Sequence, residues 1–487
     1  MLCFTGVDGS LFLAHTINFG DEKGEFDESL TSSSSLHSKQ SSVNGVQLQW
    51  GAKGELDRES CLGSVTCVAA SKGSGYRLGG GTDKISSKSS IDQSCADEEE
   101  IISSMEGCQV IAGTTGGGLR VWSLKDVYLA SHIKESAQST GVSSSMNRSH
   151  HGSGSTSVRP SAGEFGMQDA MAGASIGGHR GGVTCIDLPP RMYRPDSLVS
   201  GGEDGLIKLW SLKSTSQITS IRDYDASDAK SVLTGHEGKI ICIKTAWHGD
   251  KVLSGGADRT VRLWDLSGSG GKPLITLQGH TGLVTQINFF GPNTICSAST
   301  DRSIQIWDTR AGSRTLFALR YHLAPVSDLL VGDRSEPVMV SAGADCSLAT
   351  WDFRMLSGAR AEISGDEHPA SNQTQSSRTI RLPMSSMNHN SHSKSPMNLV
   401  RSVGRDEFSF FSISDDGVVN EWEAASGRKV SSYQSGHRDA ISGFYSFSSS
   451  DELRQEQGVN VSRVGGTISC SWDGTVRLRR LSRKRVD

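Results

Sequence analysis

Ser254-Gly-Gly-Ala-Asp-Arg-Thr-Val-Arg-Leu-Trp264 and Ser297-Ala-Ser-Thr-Asp-Arg-Ser-Ile-Gln-Ile-Trp307 share a spacing in which an aspartate stands six residues before a tryptophan. The spacing returns at Asp204/Trp210, Asp345/Trp351 and Asp416/Trp422. Two degenerate copies flank the set: Gly116 replaces the aspartate before Trp122, and Arg479 replaces the tryptophan after Asp473. Runs such as Thr260-Val-Arg-Leu-Trp264 are rich in β-branched and aromatic residues and read as strands. The Gly- and Asp-containing joints between them read as tight turns, where an aspartate can bond nearby backbone. A period recurring along a chain is the signature of a repeat architecture.

A second element precedes most copies. Gly-His pairs end at His179, His236, His280 and His437, and His322 follows Tyr321 in the equivalent place. With this element the chain resembles the WD-repeat (β-transducin-like) propeller family, over roughly residues 60–481. The resemblance implies an all-β propeller of four-stranded blades, seven-bladed with eight as the alternative. It also implies a buried polar chain in each blade. That chain maps onto His179, Ser200, Asp204 and Trp210, then His236, Ser254, Asp258 and Trp264. It maps again onto His280, Ser297, Asp301 and Trp307, and onto His322, Ser341, Asp345 and Trp351. These His–Asp pairs look like catalytic dyads, but their recurrence from blade to blade marks them as structural.

Seven repeats carry Gly116, Asp204, Asp258, Asp301, Asp345, Asp416 and Asp473 in the aspartate slot. Residues 1–20 read as a ring-closing strand or as a truncated eighth repeat, the latter leaving the chain as the carboxy-terminal part of a longer protein. Residues 21–44 read as a low-complexity linker, 45–481 as the propeller and 482–487 as a basic tail. Polar insertions are expected at about 71–106, 131–176, 358–396 and 448–464, too poor in apolar residues to offset the entropy of ordering.

Composition narrows the class further. The 49 Lys+Arg and 53 Asp+Glu leave a net charge of −4, against the basic excess of a nucleic-acid-tracking chain. Glycine is abundant at 56, yet proline is only 11, so the glycine is not collagenous. No apolar run has the length of a membrane helix. The ten cysteines form no Cys-x-x-Cys pair, and Cys67, Cys185 and Cys242 recur at one repeat position, which suits core filling. Reduced thiols point to the cytoplasm, with the nucleus as the alternative.

Enzyme motifs are weak. Gly173-Ala-Ser-Ile-Gly177 lacks the strand–turn–helix context of a nucleophile elbow. Gly268-Ser-Gly-Gly-Lys272 is followed by Pro273 where a phosphate loop needs Ser or Thr. His389 and His392 have metal-like spacing in a polar stretch without neighbouring ligands. The reading is a non-enzymatic scaffold for proteins or peptides, with no cofactor and no metal.

Two features suggest where partners bind. Trp307-Asp308-Thr309-Arg310 is followed one blade later by Trp351-Asp352-Phe353-Arg354. Consecutive Trp-Asp-x-Arg ends resemble the box of substrate receptors of cullin–RING ubiquitin ligases, which implies adaptor contacts by Arg310 and Arg354 with Asp308 and Asp352 beside them. The second feature is Trp472, a turn aromatic expected on one open face with the residues after the Gly-His pairs: Arg180, Glu237, Thr281 and Arg438. A further alternative is the propeller of a larger membrane-trafficking protein of DENN or BEACH type.

Overall fold

Residues Lys251–Gly256 leave the turn at Ala257–Arg259 and return as Thr260–Asp265, which is the repeat spacing in three dimensions. With Ile240–Thr245 before them and Ile275–Gln278 after, they form a four-stranded antiparallel sheet in chain order, the Trp264 blade. Alternation explains which residues go inside. Along Thr260–Asp265 the alternation puts Val261 and Leu263 on one face and Trp264 on the other, and all three are buried because both faces of the strand are covered, while Arg262 is half-buried.

The computed structural model describes residues 2–5, 10–19, 28–31, 41–43, 46–55, 65–71, 109–123, 174–190, 193–194, 197–212, 229–268, 271–312, 315–332, 337–354, 378–380, 385–388, 398–402, 408–449, 464–471 and 475–481. Among them lie eight sheets, almost all antiparallel, so the fold is all-β and built of propeller-type blades. Seven of the sheets hold the seven repeats, and one more is built from strands within Leu2–Glu55.

The chain divides into two compact units. One unit comprises Met1–Asp21, Ser35–Gly202 and Lys208–Ser231, and contains the amino-terminal sheet and the Trp122 blade. Its core packs Ile111, Leu119 and Val121 against Val183, Leu198 and Trp210. The other unit comprises Glu22–Ser34, Glu203–Ile207 and Val232–Asp487, and holds the Trp264, Trp307, Trp351, Trp422 and carboxy-terminal blades. There each blade's face packs on the next. Leu253, Val261 and Leu263 meet Ile287, Phe289 and Trp307, and Val340 and Leu348 meet Phe410 and Trp422.

The first strand of most blades has an extra residue, with register shifts at Val65/Cys67, Val183/Cys185, Ile240/Cys242, Val284/Gln286, Val326/Asp328 and Ile441/Gly443. This bulge gives the recurring cysteine and glycine their purpose. A Cβ on Gly255 would stand 2.7 Å from Cys242 Sγ and 2.6 Å from Val284 Cγ1. A Cβ on Gly113 would meet Cys67 and Val183 in the same way. The thiol fills the space that glycine leaves between neighbouring strands.

Three segments differ from the expectation. Leu2–Thr5 and Ser10–Phe19 pair with each other, and Ser10–Phe19 also pairs with Val46–Glu55. The outer strand beside Thr475–Leu481 comes instead from Glu28–Thr31, inside the expected linker. Within the expected insertion at 358–396, Ser385–Asn388 is the fourth strand of the Trp351 blade, because buried Met387 completes the core shared with Leu399 and Phe408. Arg378–Ile380 adds in parallel to Thr315–Leu319 and makes the Trp307 sheet five-stranded. Ala174–Gly178, which begins inside the expected insertion at 131–176, is the fourth strand of the Trp122 blade, and Ser71, Ser448, Ser449 and Val464 belong to strands at the edges of two other insertions. The remaining insertion residues and the tail at 482–487 lie outside the described residues.

Candidate functional site

At the heart of the Trp264 blade, the Trp264 indole N–H donates to Ser254 Oγ at 2.8 Å, and Ser254 Oγ lies 2.7 Å from His236 Nε2. His236 Nδ1 lies 2.8 Å from Asp258 Oδ2. Because the Asp258 carboxylate only accepts, the imidazole donates from Nδ1, and in that tautomer Nε2 accepts the Ser254 hydroxyl while the hydroxyl oxygen accepts the indole proton. Asp258 also accepts the Thr260 hydroxyl at 2.9 Å and the Glu237 backbone N–H at 3.2 Å.

The Trp307 blade repeats the chain. Trp307 to Ser297 is 2.9 Å, Ser297 to His280 is 2.8 Å and His280 to Asp301 is 2.9 Å. Ser303 and the Thr281 N–H complete Asp301. In the Trp351 blade, Trp351 and His322 converge on Ser341 at 3.0 and 2.8 Å. There Ser347 stands between His322 Nδ1 and Asp345, at 2.7 and 2.5 Å, and Leu323 N–H donates to Asp345 at 2.6 Å. In the other unit, Ser200 joins His179 and Trp210, each at 2.8 Å. Asp204 accepts the Leu206 N–H at 3.1 Å.

Burial alone would raise Asp258, Asp301 and Asp345. The hydrogen bonds from His236 and His280 and the His322 ring beside Asp345, with the hydroxyls of Thr260, Ser303 and Ser347, outweigh it and hold all three well below the usual carboxylate range. The order Ser–His–Asp is that of a hydrolase triad. Yet Ser254, Ser297 and Ser341 are 0% exposed, and each is capped by its tryptophan, so no substrate reaches the hydroxyl. This buried chain is a stay between strands.

The pattern reaches beyond the four mapped chains. Trp422 donates to Ser412 at 2.8 Å, and His437 meets Ser469 at 2.8 Å. The hydroxyl two residues after each aspartate, at Thr260, Ser303 and Ser347, recurs plainly once aligned and could have been read. Asp328 could not. It is half-buried on the first strand of its blade and accepts Gln286 Nε2 at 3.1 Å, Leu329 N–H at 2.8 Å and Leu399 N–H at 2.8 Å, so one carboxylate clamps three consecutive blades. Where a tryptophan is missing, Arg479 lies 3.8 Å from the centre of the Tyr433 ring, and the Tyr433 hydroxyl meets Thr467 at 2.9 Å.

The expected contact residues fall at opposite blade ends. Arg310 forks onto its own Asp308, through Nε at 3.1 Å and Nη2 at 2.9 Å, while its backbone N–H bonds the same carboxylate at 2.9 Å. Arg354 repeats this on Asp352 at 3.1, 3.0 and 2.8 Å. Both guanidiniums are 70% exposed, and the carboxylate hydrogen bond raises each arginine above its ordinary value. They emerge from the strand ends away from the aspartate turns. Glu237, Thr281 and Leu323 lie at the aspartate-turn end, main chain anchored and side chain exposed. Arg180 and Arg438 are likewise exposed, and Trp472 lies outside the described residues. Ser175, the centre of the Gly-x-Ser-x-Gly match, sits in a strand opposite Arg120 rather than at a turn. His389 and His392 lie outside the described residues, and no metal-ligating cluster occurs among those described.

Comparison with known proteins agrees with this frame. The family model described as WD domain, G-beta repeat matches residues 173–211, 228–265 and 271–308. The chain is 27% identical over 343 residues to the ribosome biogenesis protein ytm1 of Aspergillus oryzae, covering 58% of this chain and 67% of the relative. It is 30% identical over 161 residues to the U5 small nuclear ribonucleoprotein 40 kDa protein of Dictyostelium discoideum, covering 32% and 41%. It is 24% identical over 225 residues to the ribosome biogenesis protein WDR12 homolog of Chlamydomonas reinhardtii, covering 40% and 48%. Alignment with the last two thus spans less than half of each relative's length. With three consecutive repeats matched and a His–Ser–Trp frame at the heart of those blades, the chain carries WD repeats of the propeller type.

Proposed function

We propose that the chain is a non-enzymatic scaffold that binds other proteins on the exposed ends of its blades, in the assembly of a ribonucleoprotein particle such as a pre-ribosome. One observation carries the reading. The polar groups that could do chemistry are spent inside the blades, while the residue after His236, His280 and His322 is fixed by its backbone N–H and offers its side chain outward. Relatives named for ribosome biogenesis and for a small nuclear ribonucleoprotein support the assembly role and favour the nucleus over the cytoplasm. Neither the ubiquitin-ligase alternative nor the membrane-trafficking alternative draws support from these relatives. The net charge of −4 fits protein partners better than direct contact with nucleic-acid backbone.

The test is affinity enrichment of the full chain from native extract, with cross-linking and mass spectrometry, beside an Arg310→Ala/Arg354→Ala variant. Ribosome-assembly proteins cross-linked to the blade ends, and recovered equally by both baits, are the expected result. Recovery of no stable protein partner would overturn the reading. A cullin adaptor lost with the variant would replace it with the ligase alternative.

A further inference from the structure

We propose that the aspartate-turn end of the Trp264, Trp307 and Trp351 blades docks an extended protein segment that alternates acidic and apolar side chains. This rests on the scaffold reading and gives its ligand a chemical class. The first observation is conformational. The residue after the blade aspartate is left-handed in every described turn of this kind, and glycine fills it at Gly117 (φ 90°), Gly205 (71°) and Gly417 (79°). Arg259 (φ 66°) and Arg302 (φ 69°) hold it in two adjacent blades, where glycine would sit without strain.

The second observation is position. A Cβ on Gly205 would stand 3.2 Å from His236 O and 3.1 Å from Gly238 O, in the loop that opens the following blade. Gly117 stands against His179 and Gly181 in the same register. By that register Arg259 lies beside His280–Gly282, with Leu283 the next residue along, and Arg302 lies beside His322–Ala324, with Leu323 between them. Arginine and leucine therefore alternate from blade to blade along one end.

The third observation is what they offer. Leu283 is 41% exposed and Leu323 is 82% exposed. Lys239, held to Ala257 through its carbonyl, is exposed, as are Arg259 and Arg302, and none of the three makes an ion pair with a described residue. The neighbouring carboxylates Asp258, Asp301 and Asp345 are turned inward and occupied. Glu237 is the exposed acid in these loops and turns. Three outward cations against one acid, with two leucines between, complement an acidic–apolar segment. Its carboxylates would meet the guanidiniums, and its apolar side chains the leucines.

The experiment is fluorescence anisotropy on the full chain with a labelled peptide of alternating leucine and glutamate. Leucine–lysine and serine–glutamate peptides are the controls. Arg259→Gly/Arg302→Gly removes both charges while suiting the left-handed backbone, and Leu283→Ser/Leu323→Ser removes the apolar contacts. Unfolding midpoints confirm that each variant folds. The expected result is saturable binding of the leucine–glutamate peptide alone, weakened about tenfold or more by either double change, and weakened by salt in the intact chain. Equal binding of the leucine–lysine peptide, unchanged binding by Arg259→Gly/Arg302→Gly, or no binding by the intact chain would overturn the proposal. Cross-links from extract proteins to Lys239 would then still uphold the scaffold reading with another ligand class.

Discussion

Ser254 is the residue through which the Trp264 blade is most directly tested. Its Oγ is the one partner of two buried groups, the Trp264 indole N–H at 2.8 Å and His236 Nε2 at 2.7 Å. The side chains of Trp264 and His236 are both 0% exposed, so water cannot replace the hydroxyl. Ser254→Ala changes almost no volume and leaves two polar atoms unsatisfied, at about 1–3 kcal/mol each. Removing the buried hydroxyl recovers part of its own desolvation, so a loss of about 3 kcal/mol is expected, in the lower half of the summed range of about 2–6 kcal/mol. Hydrogen exchange read by mass spectrometry resolves the site. Amides in Lys251–Gly256 and Thr260–Asp265 that exchange by local opening should speed up by about 100-fold. Amides of the Trp422 blade should not change. An exchange difference below about threefold in the Trp264 blade would show that the hydroxyl is not a bridge, and the reading of all the blades would fall with it.

Other expectations follow from the same geometry. A fluorophosphonate probe should leave Ser254, Ser297 and Ser341 unlabelled in the folded chain, and labelling of any would revive the triad reading. Stability should fall on acidification. Asp258, Asp301 and Asp345 bind protons less readily folded than unfolded, so their contribution is complete above the unfolded carboxylate value of about 3.9 and is lost as pH drops through and below it. Asp328, raised by burial, works in the opposite direction, and urea midpoints between pH 7 and pH 3 for intact chain and Asp301→Asn separate the two. Asp328→Ala should cost about 2–4 kcal/mol by stranding the Leu399 N–H and the Gln286 amide, and a loss under about 0.5 kcal/mol in urea would refute the clamp. Burial pushes Cys185, Cys296 and Cys470 up to about 12, so iodoacetamide at neutral pH should modify them only after unfolding.

The blades were legible in the sequence because aspartate and tryptophan mark the two ends of one strand, and a strand of fixed length keeps their spacing. Trp264, Trp307 and Trp351 could thus be placed from position alone. Ser385–Asn388 could not, since Ser-Ser-Met-Asn shows no alternation and only its burial beside Leu399 and Phe408 makes it a strand. Glu28–Thr31 is equally plain in sequence and is a strand through its pairing with Thr475–Leu481. Asp328 is invisible for a different reason. Its partners Gln286 and Leu399 lie far away along the chain, and nothing at position 328 announces them. Arg310 and Arg354 were legible as a pair, but their closure onto their own aspartates shows only in three dimensions.

Asp258, Asp301 and Asp345 each grip the backbone of the residue after their blade's histidine and leave that residue's side chain untouched. Glutamate, threonine and leucine occupy the three positions, at 237, 281 and 323, with the same main-chain bond beneath them. Substitution there can therefore rewrite what the protein recognises while leaving its folding unchanged. A lineage could drift from one partner to another through these sites without passing through an unstable intermediate.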